Sequence, residues 1–191
     1  MAFTMHGYAK NSIYTIACLC LLIPVVKAQS PFVNIEQAEL TYTKKNIKLA
    51  AKLNFQLSVE ATKALRSGIK LYWNIDVVFR QDQWLGLWTK ELAAYQYRYR
   101  LSYHTLLDNY RVQVMNEHTA RRFLYLADAL NYMAKINYKY LLSDLAIDEE
   151  HCLLSSLQVS FDREALPVPV RPFAYFNQAW DLSTDVRQWC D

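Results

Sequence analysis

The chain has 191 residues, 53% of them hydrophobic and 14% aromatic, with 21 Lys+Arg against 18 Asp+Glu. That length suits one domain with a proper core, and a near-neutral balance without a basic block argues against nucleic acid or anionic lipid as an electrostatic partner. The three glycines, Gly7, Gly68 and Gly86, are too few for a phosphate-cradling loop and cannot spell the Gly-x-Ser-x-Gly elbow of a serine hydrolase.

Lys10 is followed by an uncharged apolar run from Ile13 to Val26, and Val26-Lys27-Ala28 then offers small side chains for signal peptidase. This is the three-part layout of a secretory signal, so residues 1–28 are expected to be cleaved and residues 29–191 to form a single periplasmic domain without a membrane span. The run is short against the roughly 20 apolar residues that cross a bilayer, and an uncleaved inner-membrane anchor is the alternative reading. The mature part keeps Cys152 and Cys190. In an oxidising compartment a disulfide pinning the C-terminal tail is the default, against a free thiol that would need a cationic neighbour.

Ala38, Leu40 and Tyr42 lie on one side of a first strand, and Thr43-Lys44-Lys45-Asn46 turns the chain back into Ile47, Leu49, Ala51, Leu53, Phe55 and Leu57 at period two, a hairpin. Ser58 as N-cap, Glu60 in the first turn and Gly68 as C-terminal stop predict a short helix over 58–67. Alternation resumes from Ile69 to Phe79, from Tyr95 to Tyr103 and from Tyr110 to Val114, predicting half-buried antiparallel strands with a turn near Leu107-Asp108-Asn109. From Arg121 the period changes, with Phe123, Leu126, Ala127, Leu130 and Ala134 three or four apart, which predicts an amphipathic helix. Ile136, Tyr138 and Tyr140 alternate again, and Leu153 to Phe161 marks a late strand ending in Leu166-Pro167-Val168-Pro169-Val170, an edge or an extended strap. The expected fold is α+β, mainly β: an antiparallel sheet or β-sandwich with two amphipathic helices.

With those elements placed, several strings stand out: Leu57-Ser58 with Ala64-Leu65-Arg66-Ser67-Gly68, Tyr99-Arg100-Leu101-Ser102-Tyr103-His104, Asn109-Tyr110-Arg111-Val112, Phe123, Ala127-Asp128-Ala129-Leu130, Phe161-Asp162 with Leu166-Pro167, and Trp180-Asp181-Leu182-Ser183. In their order and spacing they resemble the exported bacterial proteins of the domain-of-unknown-function family 4390. The resemblance spans most of the mature chain. It implies no reaction, and it implies at most a signalling or envelope context beside a membrane sensor kinase.

No constellation spells an active site. His104, His118 and His151 are scattered singly, so no metal site is expected, and Asp148-Glu149-Glu150-His151 reads as a solvated turn. His104 is the best general-base candidate, on the polar face with Arg98 and Arg100, but it lacks a nucleophile and an orienting acid in sequence. The segment Arg80 to Trp88 joins two strands and carries two indoles around Gly86, so Arg80, Trp84 and Trp88 are the interaction candidates, with Trp180 as a further one. Arg80 is also a candidate ion-pair partner of Asp82 or Asp76. The tyrosine strip at 95–103 is expected in a sheet core rather than on a membrane barrel, because the chain also carries a helix and lacks a terminal aromatic. These features predict a non-catalytic binding or accessory module of the cell envelope, without cofactor, in contact with an inner-membrane protein. A carrier of an apolar ligand or lipid, held between sheet and second helix, is the alternative, ahead of an enzyme using His104 or Cys152.

Overall fold

Period-two alternation runs through nine strands among the described residues, and their ladders sort into two antiparallel sheets. The computed structural model describes residues 32–43, 46–83, 88–115, 117, 119–141 and 153–190. The small sheet has the order β1 (Phe32–Thr43), β2 (Asn46–Gln56), β7 (Lys135–Leu141). The large sheet has the order β6 (Ala120–Phe123), β5 (Asn109–Val114), β4 (Trp88–His104), β3 (Leu71–Gln83), β8 (Leu153–Phe161), β9 (Arg187–Cys190). Among the described residues three α-helices complete the α+β fold: α1 (Val59–Arg66), α2 (Leu126–Met133) and α3 (Arg171–Phe176).

The inner faces meet through large rings. Trp73 of β3 is fully buried between Phe55 of β2, edge-on at 5.8 Å, and Phe161 of β8 at 5.3 Å. Phe79 of β3 packs edge-on against Tyr140 of β7 at 5.1 Å. The tyrosine strip of β4 also faces inward: Tyr97 stacks on Tyr138 at 3.6 Å and Tyr95 lies 4.5 Å from Tyr140. The sheets thus pack face to face as a sandwich and do not close into a barrel among the described residues.

Two bulges keep the apolar side chains inside. In β1 the register skips at Glu36, so Val33 and Ile35 before it and Ala38 and Leu40 after it all meet the core despite opposite parity. In β4 the skip at Leu92, between the pairs Phe79↔Ala93 and Arg80↔Glu91, does the same for the hairpin with β3.

Helix α1 follows its expected rules. The Ala61 amide donates to the Ser58 hydroxyl at 2.9 Å, and Gly68 stops the helix at φ +90°, with Gly68 and Ile69 amides donating to Leu65 and Ala64 carbonyls. Two expectations are corrected. The helix expected from Arg121 begins at Leu126, because residues 120–123 pair with β5 and Phe123 sits opposite Tyr110. Its buried stripe is therefore Ala129, Met133 and the C-cap Ala134. The strand expected to run to Val170 ends at Phe161: Asp162 caps the next turn through the Ala165 amide at 3.0 Å, and the Pro167 carbonyl accepts from Val170 and Arg171. Pro172 in its first turn then favours a third helix, α3.

The C-terminal return is sewn onto β8 by side chains. The Trp73 indole donates to the Leu182 carbonyl at 3.1 Å, while the Ser183 and Thr184 hydroxyls accept the Phe161 and Val159 amides at 3.0 Å each. These hydroxyls satisfy ladder donors of β8 beyond the reach of the short β9.

Candidate binding face

Of the hairpin candidates, Arg80 and Trp88 lie on opposite faces of the β3–β4 hairpin. Arg80 reaches across to Glu91 at 3.6 Å, while Asp76 accepts from Gln96 at 2.8 Å; the Asp82 side chain lies outside the described residues. Trp88 is 67% exposed, and it lies three residues from Glu91, so strand parity puts it on the face opposite Arg80. Trp84 lies outside the described residues, as do Cys152, His118, His151 and the signal region 1–28. Trp180 is a core residue, 4% exposed and stacked on Phe161 at 6.1 Å, so its indole surface is already used and offers nothing to a partner. Cys190 is disulfide-bonded, two positions beyond the ladder pair Ser156↔Gln188.

The outer face of β4, β5 and β6 gathers what the sequence holds apart. The register pairs Ser102 with Arg111 and Arg111 with Arg122, and on the adjoining rungs Arg100 with Gln113 and His104 with Asn109. Paired residues share a face, and Tyr103, Tyr110 and Val112 turn inward, so Arg100, Arg111 and Arg122 all point to the solvent side. Arg100 bonds the neutral Gln113 amide oxygen. Among the described residues no carboxylate pairs with any of these three arginines. The Arg111 Nε, the His104 Nδ1 and the Asn109 Oδ1 are buried without a hydrogen-bond partner among the described residues. Arg98, on the same face, is held differently: it meets Asp162 at 2.5 Å and lies 4.8 Å above the Tyr72 ring, a structural tie between β3, β4 and the turn after β8.

Two like charges directly opposite on a ladder are destabilising. A donor buried without a partner is costly as well. Both violations fall on one patch, where an anion would cancel them: each guanidinium offers a fork that fits a carboxylate or phosphate. His104 makes no side-chain hydrogen bond among the described residues. No group of three His, Cys, Asp or Glu gathers for a metal among the described residues.

Burial, ahead of any neighbour, raises the phenol pKa of Tyr99, Tyr138 and Tyr140, and the Tyr99 and Tyr138 hydroxyls share a 2.8 Å hydrogen bond. At the seam with α2, the Phe123 and Tyr132 rings meet tilted at 5.4 Å and the Arg121 guanidinium lies 4.9 Å from the Tyr132 ring. A cleft of about 670 Å³ runs between Phe32–Ile35 and Asp181–Arg187, and Arg187 donates from there to the Ile35 carbonyl at 3.0 Å.

Sequence reasoning placed Arg98 and Arg100 on a polar face but missed the row, because residues 121–123 were read as helix. The signal was the aromatic at Phe123: as a strand residue opposite Tyr110, it sets Arg122 beside Arg111. No curated protein and no solved structure matches the chain. The profile of the domain of unknown function DUF4390 matches residues 31–190. The chain belongs to the DUF4390 family.

Proposed function

We propose that this protein is a non-catalytic, exported binding module of the bacterial cell envelope that takes an acidic segment of an inner-membrane or envelope protein on its Arg100, Arg111, Arg122 face. The observation that carries the reading is the direct cross-strand opposition of Arg111 and Arg122 without a carboxylate partner among the described residues. A bound carboxylate would turn that repulsion into two charge-assisted contacts. The signal layout of residues 1–28 supports export, and the family resemblance makes a membrane sensor kinase one fitting partner.

Calorimetric titration of the protein with a glutamate-rich peptide tests it. Binding by the wild type that weakens about tenfold or more in R111Q/R122Q supports the reading, since each lost charged contact is worth roughly 1.5–3 kcal/mol. Equal affinity of both would overturn it.

A further inference from the structure

We infer that the cleft beside β1 takes an extended segment of a partner protein, which adds to the open edge of β1 as a further strand. The cleft adjoins β9, and β9 and β6 are opposite edges of the large sheet, so this site is separate from the arginine face and goes beyond the reading above. The ladders fix which backbone groups line it. The Leu53 amide donates away from β1, to the Ala134 carbonyl at 2.8 Å, so at the pair Ile35↔Leu53 the two backbones face apart and Ile35 turns its amide and carbonyl to the outer edge. Arg187 reaches the Ile35 carbonyl from that outer side at 3.0 Å, in agreement. The register is unbroken from Phe32 to Ile35, so Val33 has the same orientation. Among the described residues nothing bonds the Val33 amide, the Val33 carbonyl or the Ile35 amide. These are the groups through which an added strand is held.

The other sheet edges are guarded. Proteins blunt exposed edges with charge, with proline or by keeping the strand short. Strand β7 carries Lys135 and Lys139, β6 carries Arg121 and Arg122, and β6 and β9 have four residues each. The stretch Phe32–Ile35 has neither charge nor proline, although it opens a strand of 12 residues. Protection of β1 starts only at its bulge, where Arg187 donates to the Glu36 carbonyl at 3.4 Å as well as to that of Ile35. Arg187 thus marks where the open stretch ends.

The facing wall sets the chemistry of the occupant. It is the C-terminal return, whose Thr184 amide is turned to the Val159 carbonyl at 2.7 Å, so at that point the return is bonded to β8 and not to β1. The space between the two walls, about 670 Å³, falls in the range of natural ligand clefts. Walled by the return on its far side, it suits one extended chain better than the edge of a second sandwich. Asp185 on that wall is exposed and makes no ion pair among the described residues, so a basic side chain of the incoming strand meets a carboxylate there. Phe32 and Val186, both partly exposed, offer apolar contacts on either side. The occupant is therefore a segment with period-two alternation, bound chiefly through its main chain and carrying a lysine or arginine.

The test selects binders to the folded full chain from a displayed library of random ten-residue peptides, and follows backbone amide exchange with and without the strongest one. In the free protein the Val33 and Ile35 amides should exchange much faster than that of Asn34, which faces β2, and the bound peptide should slow both by about tenfold or more. Asp185→Lys changes an exposed side chain, keeps the fold, and should weaken the peptide about tenfold. Val33→Pro removes an amide that the β1–β2 ladder does not use and should weaken it by a similar factor; where that variant fails to fold, the exchange data and Asp185→Lys decide. A library that yields no binder, a binder that leaves Val33 and Ile35 exchange unchanged, or equal affinity for Asp185→Lys would overturn the inference. Protection of the two amides that rises with protein concentration alone would overturn it in favour of a second copy of this chain. None of these outcomes touches Arg111 and Arg122, so the reading of the arginine face stands or falls separately.

Discussion

Arg111 and Arg122 stand directly opposite each other across the β5–β6 ladder, on the solvent side of the sheet. Cross-strand pairs of like charge cost up to about 1 kcal/mol relative to neutral ones. Strand β6 is only four residues long and lies at the edge, so little else offsets that cost locally. The Arg122→Gln variant should therefore be more stable than the wild type by a few tenths of a kcal/mol at low ionic strength, and the gain should vanish in high salt, where the repulsion is screened. Urea unfolding at low and high salt checks it; a loss of stability at low salt would mean that Arg122 has a stabilising partner.

The buried tyrosines make the fold sensitive to alkali. Tyr99, Tyr138 and Tyr140 have folded-state pKa values above the unfolded value near 10, first because of burial. Above that pH the unfolded chain releases protons that the folded chain retains, so stability is whole below about pH 10 and falls as pH rises past it. Tyrosinate absorbance should show a late class of tyrosines appearing together with unfolding. Ionisation of all tyrosines in a still-folded protein would contradict the packing described.

Gly68 is held at φ +90° with open space where a Cβ would sit, so the cost of a side chain there is conformational and not steric. Gly68→Ala should destabilise by about 1–2 kcal/mol, and Gly68→Asn by less, because asparagine tolerates the left-handed region. Thermal unfolding of the two variants gives the ranking, and an alanine variant as stable as asparagine would argue against the helix stop.

Trp73 joins the sheets and the C-terminal return in one side chain. Trp73→Phe should leave the Leu182 carbonyl without its donor and a gap beside Phe55 and Phe161, a loss of about 2–4 kcal/mol. Protease cleavage should rise first in the return at residues 181–187, whose anchor is gone. An unchanged cleavage pattern with unchanged stability would show that Ser183 and Thr184 hold the return alone.

The β-rich fold, its strand parities and the caps of α1 were legible in sequence because alternation and capping act locally. Tyr97 and Tyr99 announced an inward face, and Ser58 and Gly68 announced a helix and its end. The failures share one cause: tertiary pairing overrode local pattern. Phe123 fits a helical stripe with Leu126 and Leu130 as well as it fits a ladder position opposite Tyr110, and only the sheet decides between them. Val168 between two prolines reads as a strap, yet Asp162 turns the chain before it and Pro172 starts a helix after it. The arginine face was hidden for the same reason, since no two of Arg100, Arg111 and Arg122 are close in sequence.

The most direct test of the account is in-cell crosslinking of the tagged full chain, comparing wild type with R111E/R122E and with W88A. The account predicts one stoichiometric envelope partner recovered with wild type and with W88A but lost with R111E/R122E, whose unfolding midpoint stays near that of the wild type. Undiminished recovery with R111E/R122E, or loss confined to W88A, would contradict the arginine face as the place where the partner is bound.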